Sequence, residues 1–132
     1  MRIFVVESDG HYRDLIKSHL LEISEYEVRA FNDWDSFFLN LSENPDVVIF
    51  SCSMPEISSH LAIEKIQSYN PQIQILITGD CGSDLSFVTS LEYGVYDVIY
   101  KEDDIKERLL NSLRNIKTAS TTSYNLRGCR KT

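Results

Sequence analysis

Apolar residues along this chain fall into two alternating kinds of run. Five are short and rich in β-branched or aromatic residues, "RIFVV", "YEVRAF", "DVVIF", "IQILIT" and "DVIY", and each is followed by a stretch in which apolar residues recur at three- and four-residue steps. That alternation predicts an α/β fold of five βα units. The first helix is expected over about Gly10–Leu21, with Tyr12, Leu15, Ile16, His19 and Leu20 on its inner stripe. The second opens at Asp33 as N-cap and turns Trp34, Phe37, Phe38 and Leu41 inward. The third follows Ser58 or Ser59 as cap, carries Leu61, Ala62, Lys65, Ile66 and Tyr69 along one side, and stops at Asn70-Pro71. A fourth runs from Ser83 to Gly94. The fifth opens on Glu102, Asp103 and Asp104 and closes on Arg114 and Lys117, charges placed as the helix dipole favours, with Ile105, Leu109, Leu113 and Ile116 as its stripe.

Strands one, three and four are apolar almost throughout, as strands covered by helices on both faces are, whereas "YEVRAF" alternates and belongs at an edge. Right-handed crossovers then favour a flavodoxin-like, doubly wound parallel sheet of order 2-1-3-4-5. Residues 1–117 read as one domain, while 118–132, "TASTTSYNLRGCRKT", lose the periodicity, hold no acid, and read as a linker or tail leading to a further segment.

With 132 residues, 42% of them hydrophobic, the chain can bury one sizeable core. The net charge of -7 repels a phosphate backbone, so direct nucleic-acid binding by this domain is not expected. No apolar run is long enough to span a bilayer and the start "MRIFVVESDG" meets an acid too soon for a secretory signal, so a cytoplasmic location without membrane contact is expected. Cys52, Cys81 and Cys129 match neither a zinc signature nor a disulfide framework. Cys52 and Cys81 follow adjacent strands and invite a redox-pair reading, but nothing charged beside them would activate a thiol, so two ordinary loop residues are the simpler reading. His11 and His60 open helices without any metal-ligand spacing.

In a doubly wound sheet, ligands bind outside the carboxyl ends of the strands. Those ends are Glu7, Ser8 and Asp9; Ser51 and Cys52; Thr78 and Gly79; and Lys101, polar although the strands before them are apolar. On "RIFVVESDG", "PDVVIFSCSMPEIS", "ILITG" and "LEYGVYDVIYK", in order and in register, the chain resembles the receiver domain of two-component response regulators over about residues 2–117. The resemblance implies a domain that takes a phosphoryl group from a histidine kinase onto an aspartate after strand three. Two acids after strand one and the acceptor would hold Mg²⁺, while a hydroxyl and a lysine neutralise the phosphoryl oxygens. Thr78 and Lys101 fall on those last two positions. Glu7 falls on the first acid, but Ser8 falls on the second and Ser51 on the acceptor. Counted with the lysine, the site changes from -2 (three acids, one lysine) to 0 (Glu7 and Lys101).

Such a set offers at most a weak Mg²⁺ site and needs no cofactor, and a serine without an adjacent base is a poor nucleophile. Ser59 stands where a receiver carries a late loop glycine, Glu102 where a proline follows the lysine, and Val98 where an aromatic switch lies. The expectation is a degenerate, non-enzymatic receiver that acts as a phosphorylation-independent interaction module, N-terminal to an output domain. Its protein partner, or a second copy, would meet the face of helix four, strand five and helix five, where Tyr93, Tyr96 and Tyr100 cluster. The alternative is a working receiver with metal held by Glu7 and Asp9, against which Asp9 can instead cap helix one. A flavodoxin-like ligand binder or enzyme is disfavoured because the crevice has no Gly-rich phosphate loop. Ser8, Ser51, Thr78 and Lys101 together form a donor set suited to a weakly held phosphate or sulfate.

Overall fold

The structure is a computed structural model that describes residues 1–79, 95–99 and 104–122, with side chains through 117. The strands are β1 (Arg2–Val6), β2 (Glu27–Phe31), β3 (Val47–Ser51), β4 (Gln74–Thr78) and β5 (Asp97–Ile99). They form one all-parallel sheet of order β2-β1-β3-β4-β5, as the apolar pattern predicts. β2 is the edge strand, and its burial alternates where β3 is buried at every position.

Helices α1 (Gly10–Leu21), α2 (Trp34–Leu39) and α3 (Ser59–Tyr69) and a C-terminal helix (Ile105–Thr122) cover the faces. The sheet's two faces feed two separate cores. Phe4, Val6, Val48, Phe50, Ile75, Ile77 and Val98 pack under α2 and α3, whereas Ile3, Val5, Ile49, Leu76 and Ile99 pack under α1 and the C-terminal helix. On the first face Phe4, Phe31, Trp34, Phe37 and Phe50 form a ring cluster with centroids 5.1 to 6.1 Å apart. Edge-on contacts of this kind stabilise beyond the area they bury.

Local signals set the helix starts. Asp9 caps α1, its carboxylate accepting from the amides of His11 at 3.0 Å and Tyr12 at 3.3 Å. Asp33 caps α2 through the Ser36 amide at 2.7 Å, and Ser58 rather than Ser59 caps α3 through the Leu61 amide at 3.1 Å. That Asp33 hydrogen bond, formed first with the Ser36 backbone, holds the carboxyl below the usual range.

The inward stripes differ from the sequence expectation at several positions. On α3 the buried residues are Ala62, Ile63 and Ile66, while Leu61 and Tyr69 are exposed and Lys65 lies over the Phe38 ring, 5.4 Å from its centroid. Leu15 of α1 is likewise exposed. α2 ends at Leu39, so Leu41 reaches the core from a following 3-10 turn, Leu41–Glu43, and Phe38 is half-buried. A six-residue helix cannot carry a stripe into a third turn, and the left-handed Asn44 (φ 59°) ends the 3-10 turn. The C-terminal helix continues to Thr122, beyond Lys117 where its charge pattern places the end. The segment 83–94 expected as the fourth helix lies outside the described residues.

Candidate functional site

Register brings the carboxyl ends of three strands into one row. Val6 pairs with Phe50 and Ser51 with Thr78, which puts Glu7, Ser51 and Thr78 side by side, all on the face covered by α1 and the C-terminal helix. Each is about 1% exposed, unusual for a carboxylate and two hydroxyls. Burial thus continues past the apolar stretches of the three strands onto the polar groups that follow them.

The hydrogen bonds of the row are incomplete. One oxygen of Glu7, Oε2, accepts from the Asp9 amide at 3.2 Å, whereas Oε1 has no partner among the described residues, nor has Thr78 Oγ1. Two orphaned buried oxygens mark a place that water or a ligand completes. The Ser51 hydroxyl is engaged with the Ser53 hydroxyl at 2.8 Å and accepts from the Ser53 amide at 3.2 Å. The Tyr12 phenol near Glu7 is pushed up to about 12, first by burial and then by the Glu7 charge.

Ser8 and Asp9 are exposed. Asp9 Oδ1 is spent on the α1 cap, so the acid nearest to Glu7 in sequence faces the helix amides. Asp46 lies at the other end of the sheet, accepting from the Arg2 amide at 2.8 Å. Lys101, Tyr93, Tyr100 and Cys81 lie outside the described residues. Tyr96 is half-buried against the core, and Val98 is buried on the α2 and α3 side. The left-handed residue in the loop after β3 is Glu56 (φ 83°), three residues before Ser59, which instead opens α3.

The donor set tests poorly as a Mg²⁺ cage. Mg²⁺ gives up water reluctantly and binds through carboxylates, and the row offers one carboxylate and two hydroxyls. Among the described residues no three His, Cys, Asp or Glu side chains converge.

A backbone contact missed in the sequence completes the wall. Gly79 adopts φ 115°, donates its amide to Ile99 at 3.0 Å, and its Cα faces Cys52 so closely that a Cβ would lie 2.9 Å from Sγ. A side chain there would be strained at that φ and would press on the sulfur, which favours glycine, and the "TG" pair after an apolar strand was the available signal.

A doubly wound parallel sheet of order 2-1-3-4-5 is the flavodoxin-like fold that receiver domains share, and here three of its strands end on a buried polar row. The sequence profile of the response regulator receiver domain matches residues 3–114, and the chain belongs to that family, the receiving module of two-component signalling. Solved structures agree in fold. A receiver domain protein from Methanospirillum hungatei superposes with a TM-score of 0.78 at 21% identity, covering 92% of this chain and 98% of that one. One from Clostridium thermocellum gives 0.72 at 22% identity over 89% and 98%. NtrX from Brucella abortus gives 0.77 at 21% identity over 90% of this chain, which spans only 27% of the NtrX chain. No helix among the described residues is long and apolar enough to cross a membrane.

Proposed function

We propose that this domain is a receiver that signals without being phosphorylated, a regulatory protein-interaction module joined to an output domain. The observation that carries the reading is the buried row itself. Its one carboxylate is Glu7, and at the acceptor position the Ser51 hydroxyl is tied to Ser53. An unactivated serine hydroxyl in a row with a single acid has neither the nucleophilicity nor the metal-held geometry that phosphoryl transfer requires. Val98 in place of a ring supports the same reading, since a buried β-branched side chain has no exposed rotamer to exchange with. In this reading the domain catalyses nothing, takes up no cofactor, and holds Mg²⁺ at most weakly.

The unit comprises residues 1–117, and the segment from 118 on, which starts as a continuation of the C-terminal helix, leads to the output domain. Its partner, a second copy or another protein, meets the face formed by β5 and the C-terminal helix. The use of Glu7 and Asp9 together as a metal pair is disfavoured by the commitment of Asp9 to the α1 cap.

The test is amide NMR of the domain with Mg²⁺ and beryllofluoride, a phosphoryl mimic. The expected result is no saturable shift at Glu7, Ser51 and Thr78. A saturable, Mg²⁺-dependent shift centred on those three residues overturns the proposal.

A further inference from the structure

A second polar concavity lies on the other side of β1, against the open edge of the sheet. It has a volume of about 340 Å³ and is lined by Arg13 from α1, Arg29, Ala30 and Phe31 from β2, Asn32 from the turn after it, Ser36 from α2 and Asn40, which caps that helix. No lining residue is acidic, in a chain with 20 acids against 13 Lys and Arg. None of Glu7, Ser51 and Thr78 lines it, so it is separate from the buried row.

Both guanidinium groups are held in place. Arg29 is paired with Glu43, donates to Asn40 Oδ1 at 3.2 Å, and lies 5.2 Å from the centroid of the Phe31 ring. Arg13 donates one NH group to the Glu7 carbonyl oxygen at 2.8 Å. Unlike Arg29, it has no carboxylate partner among the described residues, so its charge is uncompensated and its remaining N–H groups are unused.

The backbone adds donors to the same place. Glu27 donates its amide to Met1, and Phe31 accepts from the Glu7 amide, so the odd-numbered residues of β2 face β1. By strand alternation the amides of Ala30 and Asn32 face the open edge. Neither has a hydrogen-bond partner among the described residues.

We propose that this concavity binds a small oxyanion ligand, a compound carrying a phosphate or carboxylate group. Arg13 supplies the charge-assisted contact, and the outward amides of β2 with the Asn32 carboxamide complete it. A pre-held guanidinium beside unpaired amides suits a planar or tetrahedral oxyanion, and the volume fits a small ligand.

The test is amide NMR of the whole chain titrated separately with inorganic phosphate and with citrate, at constant ionic strength with chloride as control. Saturable shifts concentrated at Ala30, Asn32 and Ser36 are expected with at least one of the two, the comparison telling phosphate from carboxylate preference. Arg13→Gln should weaken binding about tenfold, a loss of the order of one charge-assisted hydrogen bond. Should Arg13→Gln fold poorly, Asn32→Asp places a repelling carboxylate at an exposed position and should abolish the response in a folded protein. Shifts with neither anion, shifts centred on Ser51 and Thr78, or unchanged affinity in both variants would overturn the assignment. So would a response along β2 to an acidic peptide but to neither anion, which would mean strand addition to the sheet edge.

Discussion

The Ser51 hydroxyl lies 2.8 Å from the Ser53 hydroxyl, and the Ser53 amide closes the ring onto the same oxygen at 3.2 Å. The strand-end serine is therefore satisfied by its own loop two residues on, a local turn that serine side chains form readily. A carboxylate at position 51 would instead stand beside Glu7, a second negative group in a buried row.

Replacing Ser51 by Asp should therefore destabilise the metal-free domain by about 1–3 kcal/mol, from desolvation and repulsion by Glu7. Adding Ser8→Asp should then convert the crevice into a cation site, so that Mg²⁺ raises the melting temperature of the double variant but not of the parent. Calorimetric titration and thermal melts with and without Mg²⁺ read both effects. Equal Mg²⁺ affinity in parent and double variant would refute the reasoning about carboxylate count.

Asp9 distinguishes capping from metal binding. As a cap, Asp9→Ala should cost about 1 kcal/mol while Asp9→Asn, whose oxygen accepts the same amides, should cost little. Denaturant melts of the two variants give the comparison. A metal role predicts that both variants lose a Mg²⁺ response equally, and that outcome would contradict the cap assignment.

Gly79→Ala combines a left-handed φ of 115° with an approach of 2.9 Å to Cys52 Sγ. The expected loss is about 1–3 kcal/mol. Cys52→Ala in the same chain removes the sulfur and should recover the steric part but leave the backbone part, so a double-mutant cycle should show a favourable coupling. Zero coupling would mean that the sulfur moves aside without cost.

Acid sensitivity should come in part from the ion pairs that tie α1 and the loop after it to the C-terminal helix. Glu22 contacts Lys106 at 2.9 Å and Glu25 contacts Lys117 at 2.5 Å, and the lysine hydrogen bonds hold both carboxyls below their usual range. A lowered folded-state pKa means that the pairs' contribution is complete above the unfolded carboxylate value of about 4.3 and is lost as pH falls through the lower folded value. The melting-temperature gap between parent and Glu25→Gln should thus be present at neutral pH, shrink in the acid range, and shrink with added salt at neutral pH. A gap that widens as the pH falls would reverse the sign.

Much of the architecture was legible because it rests on short-range rules. The apolar run "DVVIF" against the alternating "YEVRAF" was enough to put β3 inside and β2 at the edge, and Asp33 announced α2 one residue ahead. The stripe of α3 was misread at Leu61 and Tyr69 because two registers of apolar residues compete on that helix. The one that wins, Ala62, Ile63 and Ile66, is chosen by the sheet beneath it. At the site, Glu7, Ser51 and Thr78 were identifiable as strand ends, but that Ser51 bonds to Ser53 depends on a loop path that no periodicity encodes. Arg13 lies off the apolar stripe of α1, and its turn back onto the Glu7 carbonyl is a contact six residues apart across a strand end.

By itself the sequence determined the order of elements, the helix caps, and the polar residues at strand ends, because hydrophobic period and capping chemistry act within a few residues. Only the tertiary structure decided which strand ends share a row, which buried oxygens are left unpaired, and where an uncompensated guanidinium meets open strand amides. Those depend on sheet register and on crossovers that bring distant residues together, and burial makes each unsatisfied group count far more than it would in water.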